Sequence, residues 1–303
     1  MSRNRTSGRG EPSSKPESIT LTSEVVGKFR PFKSFRARDK TQAAVQRSTD
    51  SALLITNASF SDDGSTVVTS SQDDRLHLYD CAKGLLKQSV PVQKYGVGLV
   101  RNTHTRLRVL HTSTKTLNRA QHLDLCKQKY ITFFQGHEGR VTSMEMAPDK
   151  DLFATAAEND TVRLWDLKAE GAVASVKVQG HPLVAWDPMG VVLVIAFPEV
   201  GSICLYDVKK LQNKPFQNIK VFPDKAGGAT PRITSIQFCN HGEYMLVGTA
   251  GNVHYVYDSF GGKRLFRLIG HSSLSAELVG SSAELLGREL AWTPDAKFVL
   301  AGA

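Results

Sequence analysis

Three sets of side chains in this 303-residue sequence have types that could do chemistry. The first is His137, followed along the chain by Thr155, Asn159, Asp160, Trp165 and Asp166. A histidine beside carboxylates is the arrangement of a general base. The second is a pair of double carboxylates, Asp62-Asp63 and Asp73-Asp74, the residue type used for general acid–base work. The third is basic: Lys94, Arg101, Arg106 and Arg108 crowd one short stretch. Arginines gathered on a rim would grip phosphoserine or acidic segments through paired N–H groups. Other chemistries lack their residues. The sequence holds no phosphate-binding glycine loop, no H-E-x-x-H and no G-x-S-x-G. Cys81, Cys126, Cys204 and Cys239 are scattered without a C-x-x-C pair, which predicts reduced packing residues rather than disulfides or a zinc site. No cofactor and no metal are expected.

What must position these groups is visible one level up. Tyr79-Asp80, Leu123-Asp124, Trp165-Asp166, Tyr206-Asp207 and Tyr257-Asp258 recur with Asp-to-Asp steps of 44, 42, 41 and 51 residues. A period of roughly 40–45 residues carrying a WD-like dipeptide marks the four-stranded blade of a β-propeller. Inside each period, short alternating apolar segments lie between Gly, Asp and Pro turns, as half-buried antiparallel strands do. The first unit reads as strands at 52–60, 66–69 and 76–79. The same grammar returns at 144–146, 152–155 and 162–165, and again at 236–238, 245–247 and 253–257. The unit ending at Leu123-Asp124 is degenerate, and its inner strand is expected from Val97-Gly-Leu-Val100. Gly261-Gly262 reads as a hairpin turn. The fold class is therefore all-β, a WD-repeat β-propeller.

On such a scaffold the chemical groups take structural roles. His137, Thr155, a turn residue (Asn159 or Asp160) and the Trp165 ring are expected to form one buried hydrogen-bonded chain, with Asp166 closing the third strand. Gly180-His181 and Gly270-His271 hold equivalent places. The double carboxylates fall on turns. An enzyme is not expected. For Lys94, Arg101, Arg106 and Arg108 the choice is between a partner-binding rim and solvated strand and loop edges.

Composition sets the remaining bounds. Hydrophobic residues make up 41%, enough for a core, and the formal charge of +9 suits acidic partners. No signal peptide opens the chain, and the apolar run Val191–Phe197 is too short to span a bilayer, so a soluble intracellular protein is expected. Residues 1–18 read as a disordered basic tail. Residues 19–50 read as an N-terminal strand from Val25 to Phe35 that joins the last blade, then a connecting segment. Its interleaved Phe and Lys/Arg also suit nucleic-acid stacking, a reading the strand displaces. Residues 51–303 are the propeller. The segment between His271 and Trp292 is about a dozen residues longer than its counterpart in the Trp165 unit. Phe298–Ala303 ends on the second strand of a sixth blade, which is expected of a truncated gene model or isoform.

Several segments go beyond the generic repeat: Gln93-Lys-Tyr-Gly-Val97 with Leu99-Val-Arg101-Asn-Thr-His104, Lys129-Tyr-Ile-Thr-Phe-Phe-Gln-Gly-His137, Val178-Gln-Gly-His-Pro-Leu-Val-Ala-Trp-Asp-Pro-Met-Gly190, and Leu76-His-Leu-Tyr-Asp-Cys81. From about residue 25 onward the chain resembles the WD-repeat subunit of the COMPASS histone methyltransferase complex, which in fungi also serves the cleavage and polyadenylation factor. The resemblance implies a seven-bladed, non-enzymatic nuclear scaffold that links chromatin modification and RNA 3′-end processing or termination to RNA polymerase II. It implies protein partners from both complexes and the phosphorylated polymerase tail, with no membrane and no direct nucleic-acid binding. The alternatives are a substrate receptor of a cullin ubiquitin ligase and an RNA-binding propeller using the Phe/Arg segment 29–38.

Overall fold

A computed structural model describes residues 20–30, 55–115, 117–221, 232–250, 252–270 and 290–301, in two units, residues 1–33 and 34–303. In the first, the helix α1 (Ser23–Gly27) begins where the Thr22 hydroxyl accepts from the Val25 N–H at 3.3 Å, and Lys28 pairs with Glu24 one turn back at 2.5 Å. The strand expected to start at Val25 is therefore not formed there. A capped turn satisfies locally the N–H groups for which a strand would need a neighbour. The expected tail at 1–18, the segment from 31 to 50 and the insertion at 271–289 lie outside the described residues.

The second unit is built of antiparallel sheets whose strands follow one another in chain order. The first sheet is β1 (Ile55–Phe60), β2 (Thr66–Ser71), β3 (Arg75–Asp80) and β4 (Leu85–Pro91). The second is β5 (Val100–Asn102), β6 (Arg108–Thr112), β7 (Ala120–Asp124) and β8 (Lys129–Phe134). The third is β9 (Val141–Met146), β10 (Leu152–Ala157), β11 (Thr161–Asp166) and β12 (Ala172–Lys177). The fourth is β13 (Leu183–Trp186), β14 (Val192–Phe197), β15 (Ser202–Asp207) and β16 (Gln217–Lys220). The fifth is β17 (Ile233–Phe238), β18 (Tyr244–Thr249), β19 (Val253–Asp258) and β20 (Arg264–Ile269), and β21 (Leu290–Trp292) pairs with β22 (Val299–Ala301). The first strands stand side by side in sequence, β1 by β5, β5 by β9, β9 by β13, β13 by β17 and β17 by β21. That serial stacking of four-stranded sheets is a propeller.

The packing explains the recurring dipeptide. A separate apolar core fills each space between consecutive sheets: Val68, Leu78 and Val109 between the first two, Phe134, Phe153 and Trp165 between the next. Where a sheet lies between two neighbours, as the third does, its second and third strands are buried at nearly every position, and solvent meets the alternating pattern of the outer strand. Tyr79, Leu123, Trp165, Tyr206 and Tyr257 are all buried, the last four within these cores, each adding on the order of 2 kcal/mol of burial. The Asp that follows each of them serves the next turn. Asp80 accepts from Lys83 N at 2.8 Å, Asp124 from Lys127 N at 2.9 Å, Asp166 from Lys168 N at 2.8 Å, Asp207 from Lys209 N at 2.9 Å and Asp258 from Phe260 N at 3.0 Å. Ring inward, carboxylate on the turn: that division of labour is the repeat.

Two expectations shift. The inner strand of the degenerate second sheet starts at Val100, not Val97: Leu99 N donates to the Thr112 hydroxyl, and regular backbone pairing begins only where Val100 meets His111. Gly96 (φ 70°) turns the chain before this stretch. A Cβ on Gly96 would stand 2.0 Å from Thr114 Oγ1, so the turn also demands glycine sterically. Of the four cysteines, all free, Cys204 and Cys239 are buried and Cys81 is half-buried, whereas Cys126 is exposed in the turn after β7. Among the described residues no helix is long and apolar enough to cross a membrane.

Candidate functional site

The most catalytic-looking constellation sits in the third sheet. His137, in the loop leading to β9, faces Asp160 Oδ2 through Nδ1 at 2.7 Å and Thr155 Oγ1 through Nε2 at 2.6 Å. Trp165 Nε1–H donates to the same Thr155 oxygen at 2.7 Å. This fixes the protons. The carboxylate only accepts, so Nδ1 carries the hydrogen, Nε2 accepts from the threonine hydroxyl, and that oxygen accepts from the indole. Burial holds the His137 pKa below its usual value and keeps the ring neutral, while the histidine and Thr161 hold Asp160 below the usual carboxylate range against its own desolvation. Hydroxyl, imidazole and carboxylate are thus in the order of a hydrolase triad. The hydroxyl, however, is wholly buried, its donor is spent on His137, and Trp165 covers it. No substrate atom can reach it, and the arrangement works as a clamp between loop, turn and two strands.

Asn159 does not join this chain. It holds φ 49° at the turn, and its side-chain oxygen accepts from Gly180 N at 2.9 Å, tying the third sheet to the loop before the fourth. Asp166 stays on its own turn, as described above. In the next repeat, His181 stands between Glu199 at 2.8 Å and Glu158 at 3.1 Å rather than in a second clamp. Its counterpart His271 lies outside the described residues.

The basic set does not form a rim. Arg101 is buried: its guanidinium makes a two-point pair with Glu145 at 2.7 and 2.8 Å, and donates to Asn57 Oδ1 at 2.7 Å and to Val100 O at 2.6 Å. Its hydrogen bonds join β1, β5 and β9 instead of facing a partner. Lys94 is exposed in the loop before β5, whereas Arg106 and Arg108 lie at the other end of that strand, Arg108 within 3.8 Å of Asp124. The four residues cannot converge on one ligand. Sequence spacing gathered them; strand direction separates them.

Other inter-blade groups went unseen in the sequence. His104 Nδ1 meets Asp62 at 2.7 Å and its Nε2 meets Ala147 O at 2.8 Å. Both partners accept only, so the ring is fully bonded when it carries both protons, and these contacts raise its pKa despite desolvation. Asp62, read from sequence only as a turn residue, is therefore also a strut between neighbouring sheets. Among the described residues no group of His, Cys, Asp or Glu could hold a metal ion.

Residues 43–80 and 128–166 match the WD domain, G-beta repeat, family; the second match ends on the clamp's own Trp165-Asp166. The chain is 31% identical to COMPASS component SWD2 of Saccharomyces cerevisiae over 93% of its length and 80% of the relative's. It is 30% identical to WD repeat-containing protein 82 of Drosophila melanogaster, over 94% of the chain and 81% of the relative. The chain belongs to the SWD2 family of WD-repeat proteins. A further member, Set1 complex component swd2 of Schizosaccharomyces pombe, is 33% identical over 71% of the chain, which spans 59% of that relative's length.

Proposed function

We propose that this SWD2-family chain is a non-catalytic WD-repeat subunit of a Set1/COMPASS-type histone methyltransferase assembly, working in the nucleus. The observation that carries the reading is the similarity to proteins named as components of those complexes, over 93% of the chain for the Saccharomyces cerevisiae relative and 71% for the Schizosaccharomyces pombe one. The chemistry supports it: the residues best suited to catalysis are consumed by the scaffold, with the Thr155–His137–Asp160 series sealed under Trp165. The finer part of the proposal is a second attachment, to the mRNA cleavage and polyadenylation machinery, and contact with the phosphorylated tail of RNA polymerase II. The chain's positive charge suits such acidic partners.

Affinity purification of the tagged full chain from its own cells, followed by mass spectrometry, tests both levels. Recovery of a SET-domain methyltransferase with its companion subunits is the expected result, and polyadenylation subunits in a separable fraction would support the finer part. Cullins and their adaptors in place of both would replace the reading with a ubiquitin-ligase receptor.

A further inference from the structure

The second sheet departs from the third where the clamp should be. Its register sets Val109 opposite Leu123 as the third sets Phe153 opposite Trp165, so His111 holds the place of Thr155, and Arg119 that of Thr161. Leu123 has no ring nitrogen to donate, and no clamp forms. Instead the Arg119 guanidinium lies 4.8 Å from the Tyr95 ring centre and 4.5 Å from that of Phe133, with Tyr130 packed against both rings at 5.2 Å.

Arg119 is 8% exposed, yet it makes no hydrogen bond or ion pair with any described residue. Its Nε is sealed from solvent and unpartnered, as are His111 Nε2 and both amide atoms of Gln121, the residue opposite His111 on β7. The terminal nitrogens of the guanidinium are not sealed. A charge held this way is unusual. Desolvating a guanidinium is costly unless an anion meets it, and two stacked rings recover only about 1–2 kcal/mol. The same rings remove the conformational freedom that a flexible arginine would lose on binding. Two further cations flank the spot. Lys94, exposed, has its Nζ 5.1 Å from the Tyr95 ring, and Lys115 bonds Gln93 O at 3.3 Å while holding Asp74 at 2.5 Å.

We propose that Arg119, clasped between Tyr95 and Phe133, anchors an oxyanion side chain of a partner peptide, carboxylate or phosphate, laid across the β4–β5 and β6–β7 loops. The open guanidinium end donates to two oxygens of the ligand, and Lys94 adds an attraction that salt weakens. This assignment is independent of which assembly recruits the chain.

The test is fluorescence anisotropy of the full chain with labelled peptides of one Gly-Ser background, carrying phosphoserine, glutamate or alanine at the centre. Wild type is expected to bind the charged peptides and not the alanine peptide. Arg119→Lys, which keeps the charge but not the flat two-point donor, is expected to weaken binding by about tenfold with an unchanged thermal midpoint. Lys94→Gln is expected to weaken it by about two- to threefold. Lys177→Gln, on the exposed edge of β12, should leave it unaltered. A preference for phosphoserine or for glutamate names which oxyanion the site takes. No binding by wild type, or equal weakening by Lys177→Gln and Arg119→Lys, overturns the assignment. Should Arg119→Lys not fold, Lys94→Gln decides: unchanged binding there overturns it as well.

Discussion

A single hydroxyl carries the geometry of the third blade. Thr155 Oγ1 is bonded to both His137 Nε2 and Trp165 Nε1, all three groups buried, so Thr155→Val keeps the shape and strands an imidazole nitrogen and an indole N–H. The expected loss is about 2–3 kcal/mol in urea unfolding, against well under 1 kcal/mol for a substitution at an exposed threonine. Arg101 makes the complementary case. Arg101→Met removes a two-point partner of Glu145 and the donor to Asn57, and should cost about 2–3 kcal/mol of stability while purified assemblies, if the chain still folds, retain their composition. A folded, fully stable Arg101→Met chain that sheds its partners would restore the rim reading rejected above. Of these roles, the sequence announced His137, Thr155 and Trp165 through their spacing. It left Asn159 and Asp160 as equals, because a turn of one or two residues decides which side chain points inward, and spacing does not resolve that. It misled on Arg101, since a strand interior and a rim position look alike until the neighbouring strand supplies Glu145.

At the scale of elements, loops are held as closely as strands. A Cβ on Gly139, in the loop that carries His137, would lie 2.0 Å from the Glu158 carbonyl oxygen, a backbone atom with little room to yield. Gly139→Ala should therefore cost about 1–3 kcal/mol and loosen the His137–Asp160 contact, seen as faster amide exchange in the loop before β9. Exchange as slow as in the parent would refute the close approach. The regular blades were legible because their aromatic–Asp pairs and alternating strands repeat. The second sheet was legible only in outline. Its inner strand has three residues, and its place in the register is set by long-range pairing of Val100 with His111, not by any local turn signal. The Arg119 site went unread for the same reason: Tyr95, Arg119 and Phe133 come from three separate segments that only pairing assembles. The helix at Ser23–Gly27 shows the reverse error, an apolar Val-Val pair taken for a strand where a threonine cap decides.

Across the whole molecule, buried histidines set the response to acid. Burial lowers the pKa of His77, His111, His122 and His137, with His111 and His122 pushed down to about 4. The unfolded chain takes up these protons at the ordinary value near 6.5, so their contribution is present at neutral pH and is lost as pH falls from there towards 4. His104 runs the other way: its raised pKa stabilises most below 6.5 and fades as pH rises through the folded value. Asp160 and Glu199, held below the usual carboxylate range, matter only at still lower pH. The depressed group dominates. The unfolding free energy should drop between pH 7 and pH 5 by about 1.4 kcal/mol per pH unit for each histidine in its window, and His111→Leu should flatten that slope. Stability that holds or climbs over this interval would refute the assignment of neutral buried rings. One consequence of the blade design remains. Because the clamp and the cores take inward-facing positions, the outward positions of a fourth strand, such as Val173, Ser175 and Lys177 of β12, are decoupled from folding. Photoreactive side chains placed there can map every neighbour of the assembled protein without disturbing the scaffold that presents them.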